Sequence, residues 1–216
     1  MLRLEEIHFS YDKTHVLKGI NLDVETGEIL SIVGSSGAGK TTLLHILGGL
    51  ERSSSGKYLI NNRSINNLSS DQIAKFRNLE IGFIFQFHNL LNEFTAFENI
   101  CIPGYISGKE KKIVENKAVD LLKTLDISNK RDKKPNELSG GEQQRVAIAR
   151  ALINSPSIVL ADEPSGNLDS KNAENLHELF MTLNKELNQT FIIVTHNKEL
   201  ASMTDRSLLM VDGKFV

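Results

Sequence analysis

The chain has 216 residues, 40% of them hydrophobic and 24% charged, which is enough to bury the core of one large domain or two small ones. Lys and Arg number 25 against 27 Asp and Glu, a formal charge of −2, which argues against a general nucleic-acid binder, because such a protein needs an excess of cations. A single cysteine, Cys101, excludes an intrachain disulfide scaffold; with neither a signal-peptide pattern nor the ~20 apolar residues of a membrane span, a soluble cytoplasmic chain is expected, reaching any membrane only through partners.

Leu2–Phe9 carries a loose strand alternation, and Val16–Val24 reads as a second strand with a bend at Gly19. Gly27-Glu28 is a turn. Ile29–Val33 is a short apolar run ending in glycine, as a buried parallel strand does. Leu43, Ile46, Leu47 and Leu50 follow at helical spacing, so a strand, a glycine-rich loop and a helix succeed one another through Gly34–Gly39. Ser53–Gly56 predicts a turn before a strand at Tyr58–Ile60, and Ile81–Phe87 predicts another strand. From Asn89 to Asn154 the chain reads as helical, most clearly over Lys109–Leu125, where Ile113, Lys117, Leu121 and Leu125 share one face. Ser128–Asn136 is a charged loop. Beyond the helical stretch come a strand at Ile158–Ala161, an amphipathic helix through Leu176, Leu179, Phe180, Leu183 and Leu187, and a strand at Phe191–Thr195. A hairpin, Leu208–Val216, closes the chain about Asp212-Gly213. Apolar strands alternating with amphipathic helices define the α/β class with a parallel sheet, the middle segment being a helical insertion.

Three segments carry chemistry. Gly34-Ser35-Ser36-Gly37-Ala38-Gly39-Lys40-Thr41 fits G-x-x-x-x-G-K-[ST] between a predicted strand and a predicted helix. Backbone N–H groups of such a loop cradle phosphates, the helix N-terminus adds positive potential, Lys40 reaches the β- and γ-phosphates and the Thr41 hydroxyl binds Mg²⁺. The strand Ile158–Ala161 delivers Asp162-Glu163 at its C-terminal end, where an open α/β sheet places ligand groups. Asp162 would hold Mg²⁺ through water, and Glu163 would act as general base on the attacking water. Third, Leu138-Ser139-Gly140-Gly141-Glu142-Gln143-Gln144-Arg145 opens the run Val146–Leu152. Ser139 with Glu142 predicts a capping box, and the two glycines beside a helix N-terminus suit an anion. Capping alone does not ask for those glycines.

With the phosphate loop upstream and Asp-Glu downstream, Leu-Ser-Gly-Gly-Glu resembles the signature of the ABC transporter ATPases, and the resemblance covers essentially the whole chain. It implies a P-loop NTPase core with a mostly parallel sheet, an antiparallel β subdomain and an inserted helical subdomain. On that pattern, 1–216 is a single ATPase domain, with 1–86 and 157–216 as the nucleotide-binding core and 87–156 as the helical subdomain. It implies a head-to-tail homodimer in which each ATP meets the phosphate loop of one subunit and Ser139, Gly140 and Gly141 of the other. Thr42 joins the nucleotide contacts, as does Asp169 in the interface-crossing loop Ser165-Gly166-Asn167-Leu168-Asp169. Tyr11 matches the aromatic that stacks on adenine, Gln86 the glutamine that touches Mg²⁺ and senses a membrane partner, and His196 the histidine on the γ-phosphate.

Gly82–Ile100, and Leu43–Leu50 with it, resemble the lipoprotein-releasing branch of that family, with Phe87-His88 after Gln86 as the most telling pair. That implies ATP-driven release of outer-membrane-directed lipoproteins to a periplasmic carrier, two copies of the chain sitting beneath a pair of transmembrane permease subunits at the inner membrane. Asn92 stands where that branch usually has proline, and Ser165 where threonine is usual. Efflux and cell-division ATPases of the same group are the nearest rivals. A non-transport ABC ATPase fits less well, because only 99 residues separate Lys40 from Ser139, too few for a long coiled-coil insertion. A small-molecule phosphotransferase would leave the signature unexplained.

Overall fold

Short apolar runs rich in Ile, Val and Leu build the centre of the molecule, which is described over residues 1–216 in a computed structural model. The first half runs β1 (Leu2–Tyr11), β2 (Thr14–Val24), β3 (Ile29–Val33), α1 (Lys40–Leu47), β4 (Ser55–Ile60), β5 (Arg63–Ser64), α2 (Ser70–Glu80) and β6 (Ile81–Phe85). Three helices follow: α3 (Ala96–Ile106), α4 (Lys111–Thr124) and α5 (Gly140–Leu152). The chain ends with β7 (Ile158–Asp162), α6 (Ser170–Leu187), β8 (Thr190–Val194), α7 (Lys198–Met203), β9 (Arg206–Val211) and β10 (Lys214–Phe215).

The main sheet has the order β10-β9-β3-β8-β7-β6, parallel throughout except for the β10 edge. A second, antiparallel sheet has the order β2-β1-β4-β5. Successive side chains of a strand point to opposite faces, and the central strands obey this closely. Ile158 and Leu160 of β7, with Ile192 and Val194 of β8, pack into a core shared with α1 and the antiparallel sheet. Val159 and Ala161, with Phe191 and Ile193, pack into a second core against α3–α6. Both faces are covered, which is why these strands read as continuous apolar runs rather than alternations.

Several expectations are corrected. The strand begun at Ile81 stops at Phe85 and not at Phe87, because His88 N–H donates to Phe85 O at 3.1 Å and closes a turn. Lys109–Leu125 is helical only from Lys111, and Val114, Ala118, Leu121 and Leu122 form its buried face while Ile113 is 57% exposed. The cause lies in α3, where Gly104 leaves room for Val114; a Cβ there would stand 2.6 Å from Val114 Cγ1. Leu187, at the end of α6, is exposed. Gly19 does not interrupt β2, but it adopts φ +82° beside a register shift in the β1–β2 pairing. The helices α2 and α7 were not anticipated; α2 opens on a Ser69/Gln72 capping box of the kind recognised at Ser139.

The seating of α5 on the sheet depends on Gly82. A Cβ at that position would lie 2.7 Å from the backbone oxygen of Ala151 in α5, an atom that cannot rotate away. Gly82→Ala is therefore expected to destabilise the fold by ~1–3 kcal/mol, as overpacking does. At ~2–4 °C per kcal/mol for a chain of this size, a thermal melt should show the loss.

Candidate functional site

The strand β3 ends at Val33, and residues 34–39 turn directly into α1. Gly34 is required by close approach, since a Cβ would sit 2.3 Å from Met210 O on β9. Gly39, the residue before α1, takes φ +103°, a conformation that favours glycine. Lys40 is buried, and its ammonium donates to Gly34 O at 2.8 Å and Ser35 O at 2.9 Å. The loop is thus folded around its own cation. Ala38 faces inward, and its carbonyl accepts from Gly213 N–H at 3.0 Å in the final hairpin.

The neighbouring strands deliver the remaining groups to the same edge. Asp162 closes β7, and Thr41 Oγ1 donates to its Oδ2 at 3.1 Å. Glu163 takes φ +44°, and its N–H donates to Val194 O at 2.9 Å, so the chain bends toward β8 as soon as it leaves the sheet. Its Oε2 meets His196 Nδ1 at 2.9 Å and accepts from His196 N–H at 3.2 Å. A cavity of about 430 Å³ gathers Ser36, Lys40, Thr41, Asp162, Glu163 and His196. Gly37 and Thr42 also line it. Val16 and Val194 complete its wall, two contacts that carry no motif and were not foreseen.

Other expected residues lie outside this cavity. Tyr11 is half exposed at the end of β1, its ring edge-on to Phe9 at 4.7 Å. Ser139 caps α5, accepting from Glu142 N–H at 3.4 Å, while Glu142 Oε2 accepts from Ser139 N–H at 2.8 Å. Gly140 and Gly141 form the first turn behind that cap. Asp169 caps α6, accepting from Asn172 N–H at 2.9 Å. Gln86 is held by Asn167, whose Nδ2 donates to Gln86 O at 2.9 Å, and Gln86 Nε2 returns a bond of 3.4 Å to Asn167 Oδ1. Nothing in the sequence pattern pointed to that pairing.

Burial pushes the Asp162 carboxyl above the usual aspartate range; the Thr41 hydroxyl opposes this and the neighbouring Glu163 charge adds to it. Backbone N–H groups act the other way at the helix caps, holding Glu142 and Asp169 below the usual range. The Thr41 hydroxyl and the Asp162 carboxylate are hard oxygen donors side by side, and a divalent cation there would relieve the desolvated charge. The pair fits Mg²⁺ in donor chemistry.

A family model described as "ABC transporter" matches residues 17–166. The chain belongs to the ABC transporter family. It is 54% identical over 216 residues to the lipoprotein-releasing system ATP-binding protein LolD of Cytophaga hutchinsonii, covering 100% of this chain and 99% of that one. The protein of the same description in Bacteroides thetaiotaomicron is 52% identical over 213 residues, covering 99% and 98%. Among solved structures, a dimeric ATP-binding cassette in a post-hydrolysis state bound to ADP and Pi superposes with a TM-score of 0.88 at 38% identity, over 100% of this chain and 96% of that one. No helix is long and apolar enough to cross a membrane.

A carboxyl group whose pKa is raised on folding supports the fold below its unfolded value, and that support is lost as pH rises through the folded value. At pH 7, well above the ordinary aspartate value, Asp162 therefore weighs against the fold. Asp162→Asn is expected to raise the Tm of the nucleotide-free chain at pH 7, with the gain shrinking as pH falls toward 3.8, the ordinary aspartate value. Melts from pH 7 to pH 4 check the sign, and a lowered Tm at pH 7 would contradict it.

Proposed function

We propose that the chain is the ATP-hydrolysing subunit of an inner-membrane complex that releases outer-membrane-directed lipoproteins to a periplasmic carrier. The observation that carries this reading is identity above 50% along the full length to proteins described as the ATP-binding subunit of that system. Two copies would sit on the cytoplasmic face beneath a pair of LolC/LolE-like permease subunits, and this chain would never touch the lipoprotein. The sister readings, a MacB-type efflux ATPase or an FtsE-type division ATPase, share the same ATP chemistry and differ in the membrane partner they require.

In this reading the N–H groups of the loop 34–39 and the Lys40 ammonium hold the β- and γ-phosphates, and the half-exposed Tyr11 ring stacks on adenine. Thr41 and Asp162 would hold Mg²⁺, with Gln86 reaching it from the neighbouring strand end. When bound, that ion neutralises charge on the phosphate oxygens. Glu163 takes a proton from the attacking water. His196, already hydrogen-bonded to Glu163 Oε2, orients that carboxylate and reaches the γ-phosphate. Ser139 and Gly141 of the partner subunit, at the positive end of its α5, would close over the same γ-phosphate. The region 87–156 would then serve as the helical subdomain that carries this lid, with Asp169 approaching across the interface.

Removing the base while keeping its shape separates binding from chemistry. Glu163→Gln should lower the hydrolysis rate by ~10²–10⁴-fold, or about 3–5 kcal/mol of barrier. ATP binding should survive, and the variant should accumulate a nucleotide-bound dimer visible by light scattering. Turnover within a few-fold of the parent would move the base elsewhere.

The membrane partner is expected on the segment after Gln86. Phe87 is 74% exposed, and Leu91 and Phe94 are exposed beside it, whereas Leu90 and Phe97 pack against the helical core. A groove of about 490 Å³ next to them is lined by Leu50, Phe83, Phe85 and Ile106, among others. Its largely apolar lining suits the apolar face of a short helix from a permease subunit. Phe87→Asp should leave the melting temperature and the turnover of the isolated chain near the parent's and abolish lipoprotein release by the assembled complex. Leu90→Asp, by contrast, should unfold the chain. Normal release by the Phe87 variant would place the partner elsewhere.

A further inference from the structure

Arg150 stands in the last turn of α5, the helix whose first turn is Gly140–Gln143. Its guanidinium donates from one nitrogen to Asn89 O at 2.5 Å and from the other to His88 O at 2.6 Å. Both bonds go to backbone carbonyls rather than to a carboxylate. The residues it holds are consecutive and both left-handed, His88 at φ +55° and Asn89 at φ +49°, although neither is glycine. The turn closes on itself as well, with His88 N–H on Phe85 O at 3.1 Å and Asn89 N–H on Phe87 O at 2.5 Å. Arg150 is half-buried at this turn, and that burial disfavours its charge, which the two carbonyls offset.

Holding a strained turn in shape does not require such a device, since glycine at 88 and 89 would adopt the same backbone freely. What arginine adds is a mechanical connection. The planar guanidinium fork fixes two acceptors at once, which a lysine point charge cannot do. From Ser139 to Arg150, α5 spans roughly 16 Å at about 1.5 Å per residue. One rigid element thus runs from the signature cap to the turn that presents Phe87. We propose that Arg150 is a positioning residue that fixes the Gln86–Asn89 turn to the end of α5, so that nucleotide closure at Ser139–Gly141 displaces Phe87 and a load on Phe87 displaces the signature. The direction of use, from ATP to a membrane subunit, rests on the function proposed above.

The chain contains no tryptophan, so Phe87→Trp installs a single fluorescent reporter on the turn. In a Glu163→Gln background, saturating MgATP is expected to shift the emission of Trp at 87. Adding Arg150→Lys should reduce that shift to less than about one-fifth while the ATP dissociation constant stays within about two-fold. Adding His88→Gly and Asn89→Gly to the lysine variant should restore the melting temperature but not the shift, because the glycines relieve strain without rebuilding the link. The proposal is overturned if the reporter ignores ATP when Arg150 is intact, if the shift persists with lysine, or if the glycines bring it back. A separate measurement bears on the proposed function alone: the turnover of the parent chain with and without the membrane subunits that co-purify with it. If those subunits leave turnover unchanged while the emission result holds, the partner assignment fails and the link through Arg150 stands.

Discussion

Glu163 N–H donates to Val194 O at 2.9 Å, and Thr195 N–H donates to Ile32 O at 3.1 Å. These bonds carry the parallel ladder one step beyond the strands, and the site depends on them. Along the ladder Ile158 lies opposite Thr190 and Ile81, while Ile29 lies opposite Phe191. Four strands therefore finish within a residue of one another, and Gly34, Gln86, Glu163 and Thr195 follow their last residues at one edge although the chain separates them widely. A slip of one residue in β7 would exchange Val159 and Ala161 with Ile158 and Leu160 between the two cores and turn Asp162 to the other face. Because both faces are buried, that register has no soft alternative. Burial on two sides is thus what aligns the reacting groups.

The parts of the molecule that were legible in the sequence share one property: their chemistry is local. The glycine loop ending in Lys40-Thr41, the Ser139/Glu142 cap, the Asp212-Gly213 turn and the apolar runs of β3, β7 and β8 each declare themselves within a few residues. Asp212 and Gly213 do take φ +46° and +81°, as a tight hairpin demands. What escaped was tertiary. The face of α4 was misassigned because Ile113 and Val114 are equally apolar, and only Gly104 on another helix decides which of them is buried. The end of β6 was misplaced because Phe87 has strong strand preference, while the turn that excludes it is built from His88 and Asn89, residues with no left-handed requirement of their own. The Asn167–Gln86 and Arg150–His88 contacts join segments more than sixty residues apart, so no window on the sequence contains them. The Ser69/Gln72 box is as local as the one at Ser139, and the spacing of its two residues is written in the sequence.

Two adjacent carboxylates, Asp162 and Glu163, carry different work, and the backbone between them explains how. Asp162 still has strand conformation, and its side chain is drawn under the Thr41 hydroxyl into a half-buried position where ionisation is disfavoured. Such a group gains from a cation held beside it. Glu163 is one residue beyond the strand. Its left-handed backbone swings the side chain away from Asp162 and onto the Nδ1 and backbone N–H of His196. Two hydrogen bonds from one residue fix a single oxygen, Oε2, and leave the other free of them. Neighbouring titratable groups placed in unlike environments are how one site separates its roles. Here the separation comes from a single positive φ at a strand end. An L-residue holds that conformation reluctantly, so the surrounding bonds, from Glu163 N–H to Val194 and from Gly166 N–H to Glu163 O at 3.0 Å, have to hold it in place. The strain at Glu163 is thus inseparable from the function: relaxing it would return both carboxylates to the alternation of the strand, facing opposite sides of the sheet and unable to share one phosphate.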